Sequence, residues 1–300
     1  MVRKIADRDF AQANVDRQGD RRRSEAGRHG RGSRMLIATD LDGTLVPNDT
    51  VALPPFTASV LRRLDTAGVP VVFVTARPLR WMDAFWPHVG NHGIAIVSNG
   101  AITYDAHERR IVSLVGIGSD VGLEVCDAIT GALPGARFAI ECTDGIRLDP
   151  EYVEPYPAPG APRGPLEKIW TDPAVKLLVR HPDVDADLLH DQIAAIVGDA
   201  ATVTWSVSGL VEISAAGITK ASALQSLCES LDVRSDDVIA FGDMPNDIPM
   251  IMWAGTSYAV ANAHESVQMV AQHGAPSCAD EGVAQVLDRL LKTTVPLTGE

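Results

Sequence analysis

The chain has 300 residues, 46% apolar and 22% charged, with a formal net charge of −13; that is enough chain for one large or two medium domains with a sizeable core. No apolar run approaches the roughly 18 residues a membrane span needs, which excludes a transmembrane helix. Charge is uneven, with ten Lys/Arg against five Asp/Glu in residues 1–34 and 16 basic against 34 acidic residues in the remainder, and so acidic a body argues against nucleic acid as the partner.

Residues 1–34 lack apolar periodicity and are rich in Arg, Gly and Ser, so a disordered basic tail is expected there. It has no hydrophobic stretch of the secretory kind, and Met35, directly before the first apolar run, reads as an alternative start. "MLIAT" is a strand candidate. "FTASVLRRLDTAG" places Phe56, Val60, Leu61 and Leu64 on one helical face and ends at Gly68, a good residue after a helix C-cap. "VPVVFVT" reads as a strand buried on both faces. A helix is expected from about Leu79 to Trp86, then "GIAIVSN" as a third strand. This β-α-β-α-β rhythm implies a parallel sheet with helices on both faces.

From about Tyr104 to Val211 the rhythm breaks around the Pro-rich "GIRLDPEYVEPYPAPGAPRGP". Strand candidates "RFAIE", "AVKLLVR", "ATVTWSV" and "LVEIS", with helical stretches "VGLEVCDAITGAL" and "ADLLHDQIAAIVG", read as a small α+β module inserted in the first domain. The α/β rhythm resumes at "GITKASALQSLCESLDV", a helix with Leu224, Leu227, Cys228 and Leu231 inward. Strand "VIAFGD", helix "NDIPMIMWAG", strand "TSYAVA", a helix from about Glu265 to Gln272 and a last helix "GVAQVLDRLLK" follow. Four scattered cysteines without CxxC spacing read as buried thiols in a reducing cytoplasm.

In an open parallel sheet, ligands bind beyond the carboxyl ends of the strands. Four strand candidates end in polar residues: Asp40, Thr75, Ser98-Asn99 and Asp243. Asp40 and Asp42, two apart, point the same way if the chain stays extended, and Gly43 permits a sharp bend after them. Asp243 and Asp247 add negative charge at a helix start. Several acids without a Cys or His cluster suit a hard cation with oxygen ligands, Mg²⁺ first. Taken singly, Asp42-Gly43 also reads as an ordinary turn and Asp243 with Asp247 as an acidic helix N-terminus. Together with Thr75 and Lys220 the set points to a site.

"DLDGTL" (Asp40–Leu45), "VTARP" (Val74–Pro78), "SNGA" (Ser98–Ala101), "GITKASAL" (Gly217–Leu224) and "GDMPNDIPM" (Gly242–Met250) resemble the successive motifs of haloacid dehalogenase-superfamily phosphatases of the Cof type. The resemblance implies a Rossmann-like, doubly wound parallel core with an inserted α+β cap of the C2 type, divided as core 35–117, cap 118–215 and core 216–300. It implies Asp40 as nucleophile and Asp42 as general acid and base. Mg²⁺ would be held by Asp40, the backbone carbonyl of Asp42, Asp243 and, directly or through water, Asp247. Lys220 and Thr75 would bind the phosphoryl group, with Asn246 and Asn99-Gly100 completing the pocket floor. The implied activity is hydrolysis of a small phosphorylated metabolite, a sugar phosphate or similar, through an aspartyl-phosphate. A phosphomutase and a non-catalytic phosphometabolite-binding protein remain as rivals. Arg77 is open between binding phosphate and pairing with a local acid. In the cap, Glu141, Arg147, Tyr152, Arg163 and Lys168 are candidates to face the substrate. Two departures stand out: Ala76 replaces the family's usual Gly, and Cys278 replaces an Asn that would support the C-terminal motif "EGVAQVL".

Overall fold

A computed structural model describes residues 35–48, 50, 52–170 and 173–294; the basic tail expected over 1–34 lies outside the described residues. In chain order the strands are β1 (Leu36–Thr39), β2 (Val71–Phe73), β3 (Ile94–Val97), β4 (Ile102–Asp105), β5 (Arg110–Leu114), β6 (Arg137–Cys142), β7 (Gly145–Leu148), β8 (Lys176–Arg180), β9 (Ala201–Val207), β10 (Leu210–Ala215), β11 (Val238–Gly242), β12 (Thr256–Val260) and β13 (His273–Ala275). The α-helices are α1 (Pro55–Thr66), α2 (Ser119–Ala132), α3 (Leu166–Ile169), α4 (Ala186–Val197), α5 (Lys220–Leu231), α6 (Ile248–Trp253), α7 (Glu265–Val270) and α8 (Gly282–Thr294).

The core is a five-stranded parallel sheet in the order β13-β12-β11-β1-β2. Every residue of β1 and β11 is buried, as continuous apolar strands covered on both faces must be. A single parallel bridge, Val74 to Ile96, hangs β3 on the sheet edge, and β3 opens the antiparallel sheet β3-β4-β5. Helices α1 and α8 pack together, tied by Arg63 Nη1 to Asp288 Oδ1 at 2.6 Å, while α5 packs with α6. No helix among the described residues is long and apolar enough to cross a membrane.

Three helical expectations change. Over 79–88 the chain forms only two short 3₁₀ turns, Leu79–Trp81 and Trp86–His88, the second carrying Pro87 in its first turn, where a missing N–H is tolerated. In α1 the inward stripe is Thr57, Val60, Leu61 and Leu64, and Phe56 is exposed. Thr57 is drawn in because its N–H and hydroxyl both donate to Glu281 Oε2, at 2.8 and 2.7 Å. Leu231 also faces solvent, at the last residue of α5 before the left-handed Asp232. The hairpin β4-β5, β7 and the edge strand β13 carry too little periodicity to be read from sequence.

After β5 the chain enters a second, antiparallel sheet, β7-β6-β8-β10-β9, and it returns to the core after β10. This is the inserted α+β cap. Phe138, Ile140, Leu177, Val179, Val211 and Ile213 bury one face of the sheet against α2 and α4. The other face is split. Ala139, Leu148, Tyr152 and Leu178 form a small apolar cluster under the Pro-rich loop, which Arg163 staples by donating to the carbonyls of Asp149, Pro150 and Tyr152 at 2.9, 3.1 and 2.9 Å. The rest of that face is polar and meets the core.

Candidate active site

Strand register builds the site. Thr39 pairs with Phe241, and Asp40 N–H donates to the Phe241 carbonyl at 3.1 Å, so Asp40 leaves β1 beside Gly242 and Asp243 at the end of β11. On its other side β1 accepts from Val74, which places Thr75 next along. Gly43 takes φ +76°, and a Cβ there would lie 2.2 Å from Asp243 Oδ2. That is why glycine follows the acids: the turn needs a left-handed residue and Asp243 fills the space a side chain would take.

Carboxylate oxygens of Asp40, Asp243 and Asp247, all buried, lie within 4.8 Å of one another. Lys220, only 1% exposed, donates to Asp40 Oδ1 at 2.7 Å and to Asp247 Oδ1 at 2.6 Å. Its ammonium sits at the first residue of α5, where the helix dipole disfavours a cation; the two carboxylates offset this. Thr219 caps α5 in a reciprocal box with Ser222. Gly100, at φ +99°, lets the Ser98–Gly100 turn press on that cap, since a Cβ would lie 2.3 Å from the Thr219 carbonyl oxygen. Asp247 Oδ2 accepts from the N–H groups of Asp243 and Met244, both at 3.0 Å. Thr44 donates to Asp243 Oδ1 at 2.7 Å.

Burial pushes the Asp40 carboxyl well above the usual range; Lys220 opposes this, and Asp247, Asp243 and Asp42 add to it. Burial, then Asp247, pushes Asp243 up to about 7, against its bond from Thr44. For Lys220 burial works against the charge, yet Asp247 and Asp40 outweigh it and hold its pKa above the ordinary lysine value.

The remaining expected residues divide. Asp42 does not share the direction of Asp40, because β1 ends at Thr39. Its carboxylate is clamped by Arg77, Nε to Oδ2 at 2.7 Å and Nη2 to Oδ1 at 2.5 Å. Arg77 thus pairs with a local acid; its guanidinium also lies over the Phe85 ring and donates to the Thr50 carbonyl. Thr75 is fully buried, its hydroxyl oxygen accepting from Arg77 N–H at 3.0 Å. Asn246 Nδ2 donates to Asn99 Oδ1 at 3.1 Å. Asn262 links Gly43 O to Cys278 N–H, at 2.8 and 2.7 Å, so the C-terminal segment reaches the aspartate turn through the Cys278 backbone.

The cap supplies groups that sequence reasoning missed. Asn99 Nδ2 donates to Glu212 Oε2 of β10 at 3.2 Å, and Ser206 Oγ donates to the same oxygen at 2.8 Å. Lys176 of β8 pairs with Glu212 Oε1 and donates to the core carbonyl of Ala76 at 2.6 Å. Arg80 of the core forks onto Glu141 of β6 at 2.8 and 2.9 Å. Burial favours the neutral form of Glu212, but Lys176 and the bonds from Ser206 and Asn99 hold its carboxyl below the usual range. The signal available for Lys176 and Glu212 was a charged side chain set against apolar neighbours in β8 and β10. Of the cap candidates, Glu141 reaches the core, through Arg80. Arg163 staples its own loop, Arg147 pairs with Asp144, Tyr152 is buried in the small apolar cluster and Lys168 is exposed.

Fold and site together define a capped, doubly wound α/β protein, with acids and one lysine gathered at the carboxyl ends of parallel strands. A profile of haloacid dehalogenase-like hydrolases matches residues 37–287. The chain is 34% identical over 278 residues to a 5-amino-6-(5-phospho-D-ribitylamino)uracil phosphatase of Escherichia coli, covering 87% of this chain and 97% of that one. It is 25% identical over 256 residues to a phosphoglycolate phosphatase of Methanothermobacter thermautotrophicus, covering 85% and 98%. Among solved structures it is similar to SMU.1108c of Streptococcus mutans, with a TM-score of 0.75, 25% identity and coverage of 86% and 99%. BT1666 of Bacteroides thetaiotaomicron, from a study of phosphatases of the same superfamily, shares the fold at a TM-score of 0.72 and 22% identity, covering 88% and 98%. The protein belongs to the haloacid dehalogenase-like hydrolases.

Proposed function

We propose that the protein is a Mg²⁺-dependent phosphomonoesterase acting on a small phosphorylated metabolite through an aspartyl-phosphate on Asp40. The observation that carries this reading is the meeting of Asp40, Asp243 and Asp247 within 4.8 Å around the ammonium of Lys220. Three carboxylates and one ammonium leave an excess of two negative charges, and the donors are all oxygen, which suits a hard divalent cation. Asp40 and Asp243, with the Asp42 backbone carbonyl, would hold Mg²⁺. Asp247, with one oxygen on Lys220 and the other on two backbone N–H groups, is a positioning residue. When bound, the ion supplies charge neutralisation for the phosphoryl oxygens.

Asp40 Oδ attacks phosphorus as the bond to the leaving oxygen breaks. Asp42, turning from Arg77, gives that oxygen a proton. Asp42 then takes a proton from the water that attacks the phosphorus of the acyl phosphate, releasing phosphate and restoring Asp40. Lys220 and the Thr75 hydroxyl hold the transferring group, where positioning and charge matter most. Asp40 is 5% exposed and Asp247 fully buried beneath the cap, so the cap must open to admit substrate and close to exclude water. The four cysteines are free and buried, which fits a reducing cytoplasm.

The test is phosphate release from p-nitrophenyl phosphate and from a panel of phosphorylated metabolites, with Mg²⁺ and with chelator. Asp40→Asn should abolish release while circular dichroism stays unchanged. Full activity in that variant places the nucleophile elsewhere, and transfer within a sugar without release identifies a mutase.

A further inference from the structure

One rigid peptide unit joins the cap to the phosphoryl-binding hydroxyl. The carbonyl of Ala76 and the N–H of Arg77 belong to the same trans peptide plane. Toward the site, that N–H donates to the Thr75 hydroxyl oxygen at 3.0 Å. Toward the cap, that carbonyl accepts from Lys176 Nζ of β8 at 2.6 Å. Because the plane is stiff, a rotation that loses one bond misaims the other. Thr75 accepts here, so its own proton is left for another acceptor, and no described residue takes it. A hydroxyl held in that way is set to donate to an incoming phosphoryl oxygen.

Little else fixes this plane. β2 ends at Phe73, Pro78 has no N–H and Leu79–Trp81 is a single 3₁₀ turn. The backbone bonds on either side run from Val74 N–H to Thr39, from Thr75 N–H to Ile96 and from Ser98 N–H to the Arg77 carbonyl, so they leave the Ala76 carbonyl to Lys176. Lys176 is itself firmly held. It is 3% exposed and pairs with Glu212, also 3% exposed, whose other carboxylate oxygen accepts from Ser206 at 2.8 Å. Lys176 moves with the cap sheet, so the bond to Ala76 exists only while the cap is docked.

We propose that Lys176 is a positioning residue for phosphoryl transfer: in the docked cap its ammonium fixes the Ala76–Arg77 peptide plane and thereby aims the Thr75 hydroxyl. The proposal rests on the phosphomonoesterase reading and deepens it, since cap docking then completes the phosphoryl site through the backbone as well as covering it. A lysine that merely tied cap to core would matter equally whatever side chain stood at position 75.

The test is a double-mutant cycle in the full-length protein with Mg²⁺ and p-nitrophenyl phosphate. Lys176→Met is made together with Glu212→Gln, so that no unpaired charge stays buried, and circular dichroism checks each fold. With Thr75 present, kcat should fall by about tenfold, as for the loss of one charge-assisted hydrogen bond. In the Thr75→Val background the same change should cost less than about twofold, because the hydroxyl that the plane aims is gone. The Kd of inorganic phosphate, measured by calorimetry, should show the same non-additivity and serves where Thr75→Val is too slow to time. If the paired variant does not fold, Lys176→Gln, which keeps a donor for Glu212 on a side chain one bond shorter, carries the cycle. Equal losses in both backgrounds make Lys176 a tether and overturn the proposal alone, as does an unchanged kcat and Kd in the folded variant. Wild-type protein that releases no phosphate from any ester overturns the phosphatase reading with it.

Discussion

Lys220→Met removes the one cation inside the acid cluster and keeps the side chain's length. The α5 cap does not depend on this side chain, because Thr219 and Ser222 make the box. Two charge-assisted hydrogen bonds are lost, at 2.7 and 2.6 Å, each of about 1.5–3 kcal/mol. Asp40 and Asp247, 5% and 0% exposed, are left facing each other without compensation, and breaking a buried pair costs about 3–5 kcal/mol. Relief of lysine desolvation and removal of a cation from a helix N-terminus return part of this, the latter about 0.3–1 kcal/mol. The net expectation is about 3 kcal/mol lower stability without divalent cation. Urea unfolding followed by circular dichroism at pH 7.5 in chelator reads it as a lower midpoint at unchanged slope. Turnover of p-nitrophenyl phosphate should fall by at least about a hundredfold. Adding Asp40→Asn to this variant should recover stability by removing the repulsion, a coupling that a double-mutant cycle isolates. A midpoint within about 0.5 kcal/mol of wild type, or no coupling to Asp40, would refute the account of Lys220 as the cluster's counter-ion.

Two further outcomes follow from the geometry. Asp243, carried by burial from 3.8 to about 7, binds its proton more tightly folded than unfolded. Its contribution is therefore fully present below about pH 4 and lost as pH rises through 7; at about 1.4 kcal/mol per pH unit this is about 4 kcal/mol. Metal-free protein should unfold at lower urea at pH 8 than at pH 5, and saturating Mg²⁺, which favours the ionised carboxyl, should flatten the difference; a pH-independent midpoint in chelator would contradict the burial argument. Gly100→Ala puts a methyl 2.3 Å from the Thr219 carbonyl at φ +99°, so thermal or urea unfolding should show about 2 kcal/mol or more of destabilisation. Turnover should also fall, since the start of α5 carries Lys220.

Some of this was legible in the residues themselves. Short continuous apolar runs such as "VVFV" and "VIAF", set between helical periods, read as strands covered on both faces, and acids placed where such runs stop belong at one edge of a parallel sheet. Helical faces were read less well: Phe56 and Leu231 fit the apolar period, yet Thr57 turned inward for Glu281 and Leu231 fell on the exit turn. Periodicity senses hydrophobicity, not the hydrogen bond that rotates a helix or the cap that ends it. The 3₁₀ turns at 79–88 fell between the periods for the same reason.

From sequence alone came the alternation that makes a parallel core, the interruption that makes a cap, and the residue types of the acid cluster, because local spacing and side-chain chemistry are carried by each segment separately. Tertiary structure decided that Asp42 turns to Arg77 while Asp40 turns to Lys220, and that Glu212 and Asn246 face each other through Asn99. Those pairings join positions more than a hundred residues apart across two sheets in several cases. Only the register of β1 on β11 and the docking of the cap's polar face set such distances, and no local pattern encodes either.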